Sequence, residues 1–300
     1  MNHAPVHDGP DIRRVGVVGC GLMGAGIAEV CARAGLDVVV HEVNPGAAEA
    51  GRARITASLD RGVRRGKLTG EERDAALDRV RVTHELTELA DRDLVVEAAT
   101  EDEKVKVELF TELDRIVTRE DAIIASNTSS LPIMRLGTAT TRPHQVIGVH
   151  FFNPVPVLEL VEIVPSLLTD PHVRFRAEEF VTGVLGKKVI HAQDRAGFVV
   201  NALLVPYLLS AIRMLESGHA SAEDIDTGMV LGCAHPMGPL SLADLIGLDT
   251  LTAIAEAMYA DFKDPLHAPP PLLLRMVEAG LLGRKSGRGF HDYSDSQKGN

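Results

Sequence analysis

Three glycines and one acid carry the first chemistry along the chain. Gly19, Gly21 and Gly24 spell G-x-G-x-x-G immediately after the apolar run Val15-Gly16-Val17-Val18 and at the head of a helical pattern, Leu22 to Ala34. In that setting the first glycine permits a tight turn, the second lets a diphosphate approach the backbone, and the third lets helix and strand pack closely. Gly19, Gly21, Leu22, Met23 and Gly24 then present amides and a helix dipole to a polyanion. A second apolar run, Val38-Val39-Val40-His41, ends in Glu42, 18 residues beyond Gly24. An acid there can accept hydrogen bonds from both adenosine ribose hydroxyls and repels a 2′-phosphate. No Arg or Lys follows until Arg52, so the expected dinucleotide is NAD and not NADP.

Holding such a turn requires a strand, a helix and a sheet. Further apolar runs at Leu94–Val96, Ile123–Ala125, Val146–Val149 and Leu158–Val164 alternate with helical patterns, followed by a helix near Val173–Leu185 and a strand near Lys187–His191. Short apolar strands between longer helices predict an α/β fold, a doubly wound, mostly parallel sheet of Rossmann type. Beyond Gly197 strand signals cease, and helices are expected over Val199–Leu215, Ala222–Val230, Leu240–Tyr259 and Leu272–Ala279. The expected organisation is a loose leader over residues 1–12, a dinucleotide-binding domain over 13–200 and an all-helical C-terminal domain over 201–300. Leu203, Leu204, Leu208, Leu209 and Ile212 crowd several faces of one helix, which favours a homodimer contact.

Composition narrows the partners. With 31 basic and 42 acidic side chains the net charge is −11, unsuited to general nucleic-acid binding. Three cysteines are too few and too scattered for a disulfide framework or a zinc site, and no apolar stretch suggests a signal peptide or membrane span. No metal, no membrane and a cytoplasmic location are the expectations.

From Arg13 to about Tyr293 the chain resembles the short-chain L-3-hydroxyacyl-CoA dehydrogenases, and most the monofunctional 3-hydroxybutyryl-CoA dehydrogenases. The resemblance rests on the glycine turn, Leu94-Val95-Val96-Glu97-Ala98, Ala125-Ser126-Asn127-Thr128-Ser129-Ser130, His150-Phe151-Phe152-Asn153-Pro154, Leu160-Val161-Glu162, Gly197-Phe198-Val199-Val200-Asn201, His235-Pro236-Met237-Gly238-Pro239 and Gly283-Arg284-Lys285-Ser286-Gly287-Arg288-Gly289-Phe290. It implies reversible, NAD-linked oxidation of a (3S)-3-hydroxyacyl-CoA to the 3-oxoacyl-CoA, with short acyl chains.

That chemistry needs a base titrating near neutrality. Of twelve histidines, His150 stands just past an apolar strand, at the edge where α/β proteins bind ligands. The resemblance implies that Glu162 pairs with it, fixing its tautomer and stabilising imidazolium, and that Ser129 and Asn201 hydrogen-bond the substrate oxygen and orient the reacting groups. It adds Glu101, Lys106, Asn127 and Lys285 on the cofactor side, and Ser58, Arg65 and Asn153 for coenzyme A. Arg65 lies in Arg61-Gly62-Val63-Arg64-Arg65-Gly66-Lys67, the densest basic run in the chain.

The pattern departs from many members at Ala196 and Ala202, where Pro and Arg are usual, and in one extra residue between His150 and Asn201. The β-hydroxyacid dehydrogenases are disfavoured because no lysine occurs between Lys188 and Lys263. An acyl group on a carrier protein, or NAD binding without turnover, are the alternatives.

Overall fold

The computed structural model describes residues 12–294. Contacts divide the chain after Asp194 into two compact units. Of the leader expected over 1–12, residues 1–11 lie outside the described residues, and Ile12 is buried in the first core and so belongs to the folded unit.

The first unit runs β1 (Arg14–Val18), α1 (Leu22–Arg33), β2 (Asp37–His41), α2 (Pro45–Arg64), α3 (Gly70–Asp78), β3 (Val80–Thr83), β4 (Leu94–Glu97), α4 (Glu103–Ile116), β5 (Ile123–Ser126), α5 (Ile133–Thr138), β6 (Val146–Phe151), β7 (Leu160–Pro165), α6 (Pro171–Glu179) and β8 (Lys188–His191). Its eight strands form one sheet in the order β3-β2-β1-β4-β5-β6-β7-β8. The first six are mutually parallel, β7 runs antiparallel to β6, and β8 is parallel to β7. The doubly wound, mostly parallel expectation is met. The apolar runs are continuous because β4, β5 and β6 are buried on both faces, as covered parallel strands must be.

Chain order reverses at β1, which has β2 on one side and β4 on the other. A crevice opens outside the carboxyl ends of two such strands, and this is where α/β folds place ligands. Gly19 follows β1 and Ala98 follows β4, so both motifs end there.

The helical pattern between β2 and β4 divides into α2 and α3 and is followed by a strand, β3, that the apolar runs do not reveal. The α2 and α3 segments are strongly polar, and Thr69 starts α3 with a capping box to Glu72. The β3 edge strand hides in Val-Arg-Val-Thr, too short and too polar to stand out.

The second unit contains only helices as regular elements among its described residues: α7 (Val200–Glu216), α8 (Ala222–Cys233), α9 (Pro239–Ile246), α10 (Leu248–Phe262) and α11 (Pro271–Glu278). Gly247, at φ +99°, separates α9 from α10 inside the expected 240–259 span. Leu208, Leu209, Ile212, Leu248, Leu251 and Met258 fill the unit's core.

Candidate active site

The glycine turn is shaped by contacts that only glycine allows. Gly19 adopts φ +88°, and a Cβ there would lie 2.8 Å from the Ala98 carbonyl oxygen. A Cβ at Gly24 would lie 1.8 Å from the Gly19 carbonyl oxygen, an impossible contact that ties the first turn of α1 to the end of β1. A Cβ at Gly21 would meet no protein atom within 4 Å. Gly19, Gly21, Leu22, Met23, Glu42 and Ala98 border a cleft of about 720 Å³. The α1 N-terminus has no side-chain cap and no acid in its first turn, which leaves its amides for an anion.

Glu42 stands at this cleft just past β2. Its carboxylate accepts the Cys20 N–H at 2.6 Å and its own neighbour's, Val43, at 3.2 Å. Glu42 and the glycine turn therefore brace one another, while a carboxylate retains capacity for further donors. Arg54 of α2 donates to the Cys20 carbonyl, which places a guanidinium beside the turn. Cys20 itself packs onto α2, where a Cβ at Gly51 would stand 2.6 Å from the Cys20 Cβ.

At the end of β4, Glu97 is fully buried and accepts three hydrogen bonds: Lys106 Nζ at 2.5 Å, the Ala99 N–H at 2.7 Å and the Ser126 hydroxyl at 2.6 Å. Lys106, 1% exposed, also lies 3.3 Å from Glu101. Glu101 accepts from the Thr128 hydroxyl, the Ser129 N–H at 3.0 Å, and the Ser130 N–H and hydroxyl at 3.3 and 3.0 Å. Burial pushes the Glu101 carboxyl up, but the Lys106 ammonium and these donors outweigh it and hold the group below the usual range. The Ser129 hydroxyl points towards the same carboxylate at 3.5 Å.

His150 and Glu162 occupy opposed positions of the β6–β7 ladder, and His150 Nδ1 lies 2.6 Å from Glu162 Oε2. His150 is 6% exposed and Glu162 0%. Phe152 packs edge-to-face on the imidazole, with centroids 4.6 Å apart. Asn127 Oδ1 accepts the Phe151 N–H at 2.9 Å, linking the serine-rich loop to the histidine's strand.

The remaining expected residues lie elsewhere. Ser58 is half-buried on α2, and Arg65 is exposed at its C-terminus beside exposed Arg61, Arg64 and Lys67. Asn153 is exposed after β6. In the second unit, Asn201 lies in the first turn of α7, and Lys285 is exposed and paired with Asp249 at 2.5 Å. Sequence reasoning missed Glu97 as a group with partners, Arg54 beside the turn, and His41, which lines the cleft with a buried Nδ1 lacking a partner. Among the described residues no group of three His, Cys, Asp or Glu is arranged for a metal.

The topology and the glycine cleft define a Rossmann-type, dinucleotide-binding protein with a helical second unit. Known proteins make the class specific. The family description "3-hydroxyacyl-CoA dehydrogenase, NAD binding domain" matches residues 14–195, and "3-hydroxyacyl-CoA dehydrogenase, C-terminal domain" matches 197–293. The chain belongs to the 3-hydroxyacyl-CoA dehydrogenase family, and NAD is its cofactor. It is 61% identical over 282 residues to a 3-hydroxybutyryl-CoA dehydrogenase of Mycobacterium tuberculosis, covering 94% of this chain and 99% of that one. Human mitochondrial hydroxyacyl-coenzyme A dehydrogenase is 41% identical, over 94% of this chain and 91% of the relative. The crystal structure of (S)-3-hydroxybutyryl-CoA dehydrogenase PaaH1 from Ralstonia eutropha superimposes with a TM-score of 0.88 at 46% identity, covering 94% and 99% of the two chains.

Proposed function

We propose that this chain interconverts (3S)-3-hydroxybutyryl-CoA, or a similarly short 3-hydroxyacyl-CoA, and the corresponding 3-oxoacyl-CoA. NAD, when bound, accepts the hydride from C3. Removal of the hydroxyl proton falls to His150. The observation that carries this reading is the contact between His150 Nδ1 and Glu162 Oε2 at 2.6 Å. It commits Nδ1 to donating, so that Nε2 remains as the lone-pair nitrogen that takes the substrate proton, and the carboxylate stabilises the imidazolium formed.

Ser129 and Asn201 are neutral donors suited to an oxygen whose charge grows during transfer. Glu42 receives the adenosine ribose, the α1 amides receive the diphosphate, and exposed Leu22 and Val43 offer apolar surface to the adenine. Both border the cleft, at 64% and 79% exposure. Asn127 and Lys285 serve the cofactor, while Glu101 and Lys106, which pair with each other and through Glu101 with the serine-rich loop, act by holding that loop. Ser58, Arg65 and Asn153 hold coenzyme A, with the exposed cations at the end of α2 matching its phosphates.

Pairing of two copies through the helical unit is supported by Leu203 at 74% exposure and Leu231 at 79%, large apolar side chains open on α7 and α8.

The test is acetoacetyl-CoA-dependent oxidation of NADH, followed by absorbance, with His150→Gln as the control. We expect turnover by the wild type and a loss of about 10²- to 10⁴-fold in kcat in the variant, with NADH affinity retained. Wild-type kcat in His150→Gln would remove the base from this position.

A further inference from the structure

Glu97 is buried, charged and unused by the reaction just described. Carboxylates are rarely taken fully out of water unless they are paired, and this one has Lys106 at 2.5 Å with two further donors. Two of its partners, Ser126 and Lys106, lead to the same loop. The Ser126 hydroxyl that donates to Glu97 in turn accepts the Thr128 N–H at 3.2 Å, fixing the root of the loop over 126–130. The backbone joins there too, since the Asn127 N–H donates to the Glu97 carbonyl at 2.8 Å. Lys106 reaches from Glu97 to Glu101 at 3.3 Å, and Glu101 collects the N–H groups of Ser129 and Ser130 with the hydroxyls of Thr128 and Ser130, fixing the crown of the loop.

We infer that Glu97, with Lys106, is a positioning residue for Ser129: the pair holds Glu101 in place, and Glu101 sets the backbone and hydroxyl direction of the serine that meets the substrate oxygen. This rests on the assignment of Ser129 proposed above. Lys106 accordingly acts on the acyl substrate from beneath the loop. Its ammonium is enclosed by Glu97, Glu101 and the Ala99 carbonyl, and its side chain is 1% exposed, so it offers the cofactor no free donor.

The charge arrangement makes the pair directional. Two carboxylates face one ammonium, and the three groups sit on three elements: Glu97 ends β4, Glu101 precedes α4, and Lys106 lies in the first turns of α4. Neutralising Glu97 leaves Lys106 with Glu101 as its sole carboxylate partner among the contacts described, and it draws Glu101 down from the loop. A glutamine fits the same space. Its carbonyl can accept from Lys106 and Ala99, and its amide can donate to Ser126.

The experiment compares Glu97→Gln, Ser129→Ala and the double variant of the two, measuring kcat/KM for acetoacetyl-CoA and, separately, the NADH Kd by fluorescence. Misplacement by a fraction of an ångström to one ångström lowers rates by on the order of tenfold to a hundredfold. A fall of that size is expected for Glu97→Gln in kcat/KM, with NADH Kd unchanged. In the Ser129→Ala background Glu97→Gln should cost nothing further. Losses that multiply, or a weakened NADH Kd with intact kcat, would overturn the inference. A Ser129→Ala variant with full activity would instead strike the serine assignment itself. Should Glu97→Gln not fold, Glu97→Gln/Lys106→Met removes the buried pair together, and because Glu101 then loses the ammonium that holds it, the same split between acyl-CoA and NADH is expected.

Discussion

His150 and Glu162 are direct partners across the antiparallel β6–β7 pair, and their side chains meet at 2.6 Å. Opposed side chains in such a ladder emerge on the same face of the sheet, with Cβ atoms about 4.5–5.5 Å apart. Register alone therefore brings Glu162 to His150. The twelve-residue interval is the arithmetic of two strands and a turn, not a helical spacing.

Glu162→Gln keeps the shape of this pair and removes its charge. The amide can still accept from Nδ1, but it no longer stabilises imidazolium. We expect kcat for acetoacetyl-CoA reduction to drop by about 10²-fold or more, with NADH Kd unaltered by fluorescence titration. Because Glu162 is wholly buried, a circular-dichroism melt should accompany the kinetics to show that the variant is folded.

Glu42→Ala removes the acceptor proposed for the ribose and the brace on the Cys20 amide. A hydrogen bond to a charged group contributes about 1.5–3 kcal/mol, so NADH affinity should weaken by roughly ten- to a hundredfold. The preference for NADH over NADPH should also narrow. The repelling carboxylate is gone, and the Arg54 guanidinium, bonded to the Cys20 carbonyl, remains beside the turn. Parallel titrations with the two cofactors check both points, and an unchanged NADH Kd would exclude Glu42 from the site.

Arg65→Glu reverses a charge at the exposed end of α2, on the far side of that helix's length from its start at Pro45. The expected result is a raised KM for the CoA ester with kcat and NADH Kd near wild type. Screening should mimic it, with the wild-type KM rising with salt as exposed charge contacts weaken. Steady-state kinetics at two ionic strengths decide the matter.

Thiol chemistry offers a readout independent of activity. Burial pushes the Cys20 thiol up to about 12, with Glu42 adding to the rise and Arg54 opposing it, and burial does the same to Cys31. Both stay protonated near neutral pH, and Cys233 is exposed. Ellman's reagent at pH 8 should therefore titrate one thiol rapidly in the native protein and three in denaturant. Fast reaction at Cys20 would contradict the packed turn.

The parts of this architecture legible in the sequence are those with a repeating or local signature. Covered parallel strands give unbroken apolar runs, and the glycine turn writes its steric needs directly into Gly19 and Gly24. The Lys106–Glu97 pair was invisible because the two residues are nine apart on different elements, and a lysine in the polar segment Glu-Lys-Val-Lys-Val-Glu reads as a solvated helix face. Only the β4–α4 fold-back buries it. The reversal at β7 has its own signature: the connection 152–159 is too short for a crossover helix, which a parallel neighbour requires. Arg54 carries no signal of its own, because its distance along the chain from Cys20 conceals a helix laid against the turn.

The strands of β6 and β7 and the residues that join them answer to different constraints. A one-residue slip in the ladder would turn Glu162 to the opposite face and abolish the pair. The connection 152–159 lies outside the ladder, and its exposed side chains, Asn153, Val157 and Leu158, are open to change, whereas Phe152 packs on the His150 ring and Val155 is buried in the core. The same hairpin is thus held to one register at its stem, where the pair lies, and open to change at the exposed positions of its tip.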